Sequence, residues 1–473
     1  MTKFNKKGNG TKTINVAGGK AYKKSTKLEL VSNLLTSFVQ DQFYRSESKG
    51  VDRLKEMIAS EKDKLFIAKA AVFARNKFGM RSITHITAGE LAHSVKGETW
   101  TKGFYEAVVH RPDDVTEILS YYLNNYNKPI PNSLKKGLGK ALLKFDAYQI
   151  AKYKGGNKDL KMVDAINLLH PKHNEVLASL VKGTLKAPET WEVELTQAGQ
   201  KANSEEEKEQ FKRDVWVKLI KEKKIGYFAL LRNLRNILTQ APELVEDACA
   251  MLIDERLIKN SLVLPFRYST AIEQIKEQSA EGTRKVVIAL SKALDISCKN
   301  VPVFDGKTLV VIDSSGSMSG KPSEIAGLFG AILYKSNESD LMLFSDEAKY
   351  INLNPTDSTL TIKGSIPYVS GGTNFHAIFQ TACKRYDRII ILSDMQGWMM
   401  YDTPVKDYEQ YCSKYKCKPL IYSWNLNDQD GTLQFPQDKV FCLAGWSEKV
   451  FDIMKLLKED KNALLTEIEK TTW

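Results

Sequence analysis

The sequence contains no apolar run long enough to cross a bilayer, which excludes a helical membrane protein. Its first residues, Met1-Thr-Lys-Phe-Asn-Lys-Lys-Gly8, are polar and basic and lack the apolar centre of a secretory signal. Cysteine is scarce. The six thiols at 249, 298, 383, 412, 417 and 442 form neither a Cys-x-x-Cys pair nor a disulfide framework. They read as incidental thiols of a reducing compartment, so the expected location is the cytoplasm. Also missing are Gly-x-Ser-x-Gly, His-Glu-x-x-His and a P-loop, the common signatures of serine hydrolases, zinc proteases and nucleotide hydrolases. The expectation is therefore a protein without catalytic turnover.

At 473 residues the chain exceeds one ordinary core, so two or three domains are expected. Hydrophobic content of 42% and charged content of 27% fit a globular protein. Charge is uneven. Residues 301–473 hold 18 Lys+Arg and 22 Asp+Glu, a net of −4. Residues 1–300 hold the remaining 51 and 35, a net of +16. A basic half suggests a polyanionic partner, most simply nucleic acid, or else only a solvated lysine-rich surface.

Residues 1–25 form a Gly/Lys/Thr-rich lead, either an ordered arm packed on a later domain or a flexible basic segment. From 26 to 301 nearly every segment repeats apolar residues at three- and four-residue steps, with short polar or Gly/Pro breaks. This spacing predicts helices at 28–43, 51–59, 62–77, 83–94, 103–109, 112–125, 132–145, 160–170, 175–181, 205–223, 226–238, 242–255, 265–278 and 282–294. Ser204-Glu-Glu-Glu207 is a capping box, and Pro242 and Pro265 suit the first turn of a helix. Residues 184–203 are less regular and read as a loop. So many short-linked helices point to stacked antiparallel pairs, a solenoid of the HEAT type.

After 301 the pattern changes to strands alternating with helices, the signature of a doubly wound, mostly parallel sheet over 302–473. Tyr350–Asn354 and Leu360–Lys363 read as an edge hairpin. The strand Thr308-Leu-Val-Val-Ile-Asp313 runs into the loop Ser314-Ser-Gly-Ser-Met-Ser-Gly320. In an open parallel sheet, ligands bind at such strand ends. Asp313, Ser315 and Ser317 offer a carboxylate and two hydroxyls there. Thr373, in Ser370-Gly-Gly-Thr-Asn374, and Asp394, ending Arg388-Ile-Ile-Ile-Leu-Ser-Asp394, supply oxygen from two further loops. Each alone could merely cap the next helix. Together they are hard oxygen donors suited to Mg²⁺, with Mn²⁺ as the alternative. The set of five resembles the metal-ion-dependent adhesion site of von Willebrand factor A domains. His376 lies close to Thr373 but belongs to the first turn of the next helix. Hydroxyl ligands with no adjacent base fit capture of a partner's carboxylate better than metal-assisted hydrolysis.

In the basic half, Lys136, Lys140 and Lys144 recur every four residues and form one row. Such a row repels itself, a cost that a bound phosphate track would relieve. Lys152, Tyr153, Lys154, His170, Lys172 and His173 add charge, an aromatic ring and imidazoles. Basic side chains with an interleaved aromatic suit RNA, whose phosphates need charge and whose bases stack. The plain alternative is a solvated face with His170 ending its helix. Within Tyr227-Phe-Ala-Leu-Leu-Arg-Asn-Leu-Arg-Asn236, Arg232 and Arg235 share a helix face that either meets RNA or bonds neighbouring turns, and the asparagines read as a buried ladder.

These segments resemble the Ro ribonucleoprotein family, proteins built on the TROVE module. The resemblance is carried by Asn15-Val-Ala-Gly-Gly-Lys-Ala-Tyr22, Ala70-Ala-Val-Phe-Ala-Arg75 with Gly79-Met-Arg81, Ala151-Lys-Tyr-Lys154, Leu169-His-Pro-Lys172, Ala229-Leu-Leu-Arg-Asn-Leu-Arg-Asn236 and Leu264-Pro-Phe-Arg267. It implies a ring of HEAT-like helical repeats closed by the von Willebrand A-type α/β domain. It also implies Y-type small noncoding RNA on the basic outer face, and single-stranded 3′ ends of misfolded or immature RNAs in a central hole. Bacterial relatives assist exoribonucleases in RNA quality control. On this view Lys136 to His173 lie on the outer face and Arg232 and Arg235 nearer the hole. Two other readings stay open: a metal-dependent protein-adhesion scaffold that binds no RNA, and a metal-dependent nuclease.

Overall fold

A computed structural model of the chain describes residues 10–36, 47–126, 129–154, 160–186, 194–195, 200, 202, 204–261, 263, 265–298, 303–337, 339–427, 431–445, 450, 454 and 463–473. The strands described are β1 (Lys12–Ile14), β2 (Lys20–Lys23), β3 (Thr308–Asp313), β4 (Asp340–Phe344), β5 (Ala348–Ile351), β6 (Arg388–Ser393), β7 (Leu420–Asn425), β8 (Thr432–Leu433) and β9 (Phe441–Ala444). Six of them form one sheet in the order β5-β4-β3-β6-β7-β9, parallel throughout except for β5 at the edge. Val310 of β3 lies beside Leu341 on one side and Ile390 on the other.

Both faces of this sheet are covered, as its continuous apolar runs require. Leu309, Val311, Ile389 and Ile391 face a core with Phe375, Ile378, Phe379 and Tyr411, from helices Phe375–Thr381 and Val405–Tyr415. The alternate residues face the opposite way. There helix Lys321–Ser336 comes so close that a Cβ on Gly330 would lie 2.3 Å from Ile312 Cδ1. Chain order leaves β3 to one side for β4 and to the other for β6. The carboxyl ends of β3 and β6 therefore flank the switch point where such sheets bind ligands.

The sequence reading is corrected at one edge. Tyr350 and Ile351 do lie in the edge strand β5, but Leu360–Lys363 fall inside helix Thr359–Ser365. Ser358 caps it by accepting from the Thr361 N–H at 3.1 Å, and Ile362 is buried. That cap outweighs the strand preference of a short Thr/Ile stretch.

Two compact units result: residues Met1–Met57, Leu264–Ser269 and Leu294–Lys470, and residues Ile58–Val263, Thr270–Ala293 and Thr471–Trp473. They do not follow the expected divisions at 25 and 301. Residues 10–25 of the lead belong to the same unit as the sheet. β1 pairs with β2, and β2 pairs with β8, both antiparallel. Helix Thr26–Thr36 packs on β9. The remainder of the helix expected to 43 lies outside the described residues, as do residues 1–9.

The other unit is helical. Helix Lys64–Phe78 packs on Ser82–Ser94, which packs on Pro112–Tyr126; Thr101–Ala107 packs on Asn132–Leu142; Pro112–Tyr126 and Asn132–Leu142 both meet Met162–Leu169. Each helix thus meets its neighbour or one a step or two further on, which is the stacking of helix pairs. Leu134, Leu138 and Leu142 are fully buried, each contributing roughly 1.5–3 kcal/mol. Gly137 permits the close approach, since a Cβ there would lie 2.7 Å from the Lys102 carbonyl oxygen. Two short helices, Ala147–Lys152 and Glu255–Ser261, are additions to the sequence reading. Pro242 opens a 3-10 turn, Pro242–Leu244, before Val245–Leu252. Most of the irregular stretch 184–203 lies outside the described residues.

Candidate functional site

The oxygen cluster sits where β3 and β6 end. Asp313, Ser315, Ser317, Thr373 and Asp394 are each at most 3% exposed. Backbone bonds tie their three loops together. The Gly316 N–H donates to the Gly371 carbonyl at 3.0 Å, and the Trp398 N–H donates to the Thr373 carbonyl at 3.1 Å. The Tyr368 hydroxyl donates to the Ser315 carbonyl. Within the cluster, Asp313 Oδ1 accepts from the Ser315 N–H at 2.9 Å, and the Ser393 hydroxyl donates to Asp313 Oδ2. Ser315 Oγ and Ser317 Oγ are 3.3 Å apart, and Asp394 Oδ1 accepts from the Gln396 N–H at 3.1 Å. Ser370 and Met395, beside the second and third loops, hold φ of 62° and 65°. Left-handed backbone at residues other than glycine is strain that a site can retain.

Burial pushes the Asp313 carboxyl up to about 6, against the pull of its serine hydrogen bonds. The Tyr368 hydroxyl is pushed up to about 12, by burial first and then by the negative charges of Asp313 and Asp394. Two buried carboxylates acting on one hydroxyl, with three hydroxyl oxygens from neighbouring loops, are a donor set that fits a small hard cation. Among the described residues there is no group of three or more His, Cys, Asp or Glu that could hold a metal.

His376 is the second residue of its helix, as expected. Its Nδ1 lies 2.6 Å from Asp407 Oδ2 and its Nε2 2.8 Å from the Asp402 carbonyl, so both ring nitrogens are engaged away from the cluster. The lead also reaches this region. Asn15 Nδ2 donates to the Gly397 carbonyl at 2.7 Å, and a Cβ on Gly19 would lie 2.0 Å from that same oxygen. The motif Asn15-Val-Ala-Gly-Gly therefore buttresses the loop that follows Asp394. Trp398, Met399, Met400 and Tyr401 on that loop, with Tyr368 and Val369 before Thr373, are exposed apolar side chains.

The second site lies in the helical unit. A cleft of about 480 Å³ is lined by Lys102, Lys135, Lys136, Lys140, Lys172 and His170, with Gly139, Leu143, Leu169 and Pro171. It gathers Lys136, Lys140, His170 and Lys172 of the expected RNA-binding set. Lys144, Lys152, Tyr153, Lys154, His173, Arg232 and Arg235 are not among its lining. Lys102 escapes a sequence reading because its helix, Thr101–Ala107, meets Asn132–Leu142 only in the fold, and Lys135 because it stands one residue off the four-residue row. His170 closes its helix in left-handed backbone with φ 46°, donating its N–H to the Ile166 carbonyl, so it is both a helix terminus and a cleft wall.

The self-repulsion expected of the lysine row is relieved inside the protein. Lys140 Nζ lies 2.8 Å from Glu106 Oε2 and Lys144 Nζ 3.4 Å from Glu106 Oε1. Lys144 also donates to the Glu106 carbonyl at 3.0 Å. Burial opposes ionisation of Glu106, but the two lysines outweigh it and lower its carboxyl. The Arg111 guanidinium covers one face of Tyr153 at 4.6 Å while pairing with Asp113. Lys152 lies 5.8 Å from the Tyr153 ring and 5.9 Å from that of Tyr148. Residues 155–159 of that segment lie outside the described residues. Arg232 and Arg235 are exposed on helix Tyr227–Gln240, Arg232 lying 5.9 Å from the Phe228 ring. The asparagines bond within that helix, Asn233 to the Ala229 carbonyl at 2.8 Å and Asn236 to Asn233 at 3.0 Å.

Comparison with known proteins adds three findings. The TROVE domain family matches residues 23–182 and 181–369. The crystal structure of the Deinococcus radiodurans RO (RSR) protein superposes with a TM-score of 0.60 at 15% identity, covering 94% of this chain and 100% of that one. Telomerase protein component 1 of Rattus norvegicus is 30% identical over 94 residues. That stretch is 19% of this chain and spans only 4% of the rat protein's length.

Proposed function

The chain belongs to the TROVE domain family, an RNA-binding ribonucleoprotein family, and from that membership we propose that it is a noncoding-RNA-binding scaffold without catalytic turnover. The observation that carries this reading is the cleft in which five lysines converge beside His170. Convergent ammonium groups suit a phosphate backbone, and affinity built on them falls steeply with salt. The RNA would be a small structured species of the Y type. An unpaired 3′ end of a misfolded or immature transcript would enter the hole that the Ro resemblance implies, in the service of RNA quality control in the cytoplasm. Shape and a free end, rather than base sequence, would select it.

The oxygen cluster would hold Mg²⁺, or Mn²⁺, through Asp313, Ser315, Ser317, Thr373 and Asp394. When bound, the ion would supply a coordination position for an anionic oxygen. The exposed Trp398, Met399 and Tyr401 nearby suit a protein partner, such as an exoribonuclease, that offers a carboxylate there. Binding of a labelled RNA hairpin with and without a single-stranded 3′ tail tests the main reading. Nanomolar to micromolar affinity with preference for the tailed form is expected. No binding to either form at low salt would favour the adhesion scaffold. RNA cleavage in Mg²⁺ that Asp313→Ala abolishes would favour the nuclease.

A further inference from the structure

Glu106 has no part in the family resemblance, yet it holds two of the lysines that an RNA ligand would use. It stands one residue from the end of helix Thr101–Ala107, which packs along Asn132–Leu142. From there its two carboxylate oxygens divide between Lys140 and Lys144, at 2.8 and 3.4 Å. The lysine side chains are 59% and 42% exposed, whereas that of Glu106 is 20% exposed. The cations are thus reachable from solvent while the anion that satisfies them is seated against the protein.

We propose that Glu106 is a specificity-setting residue that stands in for phosphate, so that RNA gains Lys140 and Lys144 only by displacing its carboxylate. This rests on the RNA-binding reading of the cleft. A carboxylate and a phosphate are both anionic oxygen acceptors for an ammonium group. Replacing one by the other returns little free energy unless the incoming ligand satisfies both lysines together. A structured RNA holds neighbouring phosphates at fixed spacing and can do so. A flexible single strand must pay ordering entropy for the same arrangement. Lys102, Lys135, Lys136 and Lys172 line the cleft together with Lys140 and would supply the attraction that does not discriminate. Glu106 would thereby suppress adventitious polyanion binding more than binding of the correct fold.

The test compares wild type with Glu106→Gln, and with Glu106→Asp as a second variant that keeps the charge but shortens its reach. Two probes are used, a labelled RNA hairpin with a 3′ tail and poly(U), each titrated with salt. Thermal melts confirm that the variants are folded. Glu106→Gln is expected to bind poly(U) about tenfold more tightly and the hairpin only about two- to threefold more tightly, with a salt slope steeper by about 0.7–0.9 for each lysine released. Glu106→Asp should fall between the two. Equal affinity and equal slope for wild type and Glu106→Gln would overturn this inference and leave the RNA reading standing. An equal gain on both probes would overturn the selectivity it assigns. Failure of every variant to bind either probe would overturn both.

Discussion

Arg75 donates through Nη2 to Asp114 Oδ2 at 2.8 Å, across 39 residues of sequence and with neither side chain more than 8% exposed. The same carboxylate accepts from Arg81 at 2.8 Å and faces His85 Nε2 at 3.0 Å. It also accepts the His110 and Arg111 N–H groups at 2.9 and 3.0 Å. Ala70-Ala-Val-Phe-Ala-Arg75 and Gly79-Met-Arg81 are thus the cationic side of a buried junction between helices, with Asp114 as its anion.

Removing that anion leaves the buried Arg75 without its carboxylate and Arg81 with Asp113 alone. Asp114→Asn should therefore cost about 3–5 kcal/mol of stability, read from urea midpoints. An unchanged midpoint would show that the junction is not a folding element.

The junction also sets a dependence on acid. Burial opposes the charge on Asp114, but His85, Arg75 and Arg81 outweigh it and hold the carboxyl well below the ordinary range. Its contribution is full above the unfolded carboxylate value of about 4 and is lost as pH falls below it. Burial, with the neighbouring arginines, lowers His85 despite its bond to Asp114, so His85 also withdraws stability as pH falls below about 6.5. Unfolding followed from pH 7 to pH 3 should show stability falling in both windows. Asp114→Asn should flatten the lower one, and parallel curves for the two proteins would contradict this.

At the oxygen cluster, millimolar Mg²⁺ should raise the melting temperature of wild type by linkage, since an ion that binds only the folded state stabilises it. Asp313→Ala should abolish the increment. An equal increment in both proteins would place the ion elsewhere.

Gly19→Ala sets a methyl against the backbone of Gly397 and Trp398, where there is no flexible side chain to yield. The expected loss is about 1–3 kcal/mol. It should come with a smaller Mg²⁺ increment, because the loop displaced is the one that follows Asp394. Full stability with an unaltered increment would show that the lead does not support the cluster.

The sheet and its oxygen donors were legible because both are local. β3 and β6 are unbroken apolar runs, and Asp313, Ser315 and Ser317 lie within five residues at the end of one strand. What escaped notice is set by distant pairings. β8 is two residues long and is a strand only because β2 lies beside it. Glu106 answers Lys140 and Lys144 from another helix, so four-residue spacing alone suggested an uncompensated row. Thr359–Ser365 was hidden by β-branched residues, although Ser358 and Thr361 carried the capping signal.

The charge map also refines the choice of variants. Lys140→Glu would set a second carboxylate beside Glu106 and confound affinity with stability. Lys136→Glu with Lys172→Glu avoids this, since both are exposed residues of the cleft. The pair should weaken hairpin binding at least tenfold and reduce the salt slope by about two, with the melting curve nearly unchanged. Normal binding would move the RNA face away from the cleft.

The most direct measurement is ultraviolet crosslinking of the full chain to a 3′-tailed RNA hairpin, with the attached peptides identified by mass spectrometry. Crosslinks concentrated in the peptides that carry Lys135, Lys136, Lys140 and His170 to Lys172 are the expected result. Crosslinks confined to the residues of the six-stranded sheet and its loops, or none at all under conditions where a known RNA-binding protein crosslinks, would contradict the account.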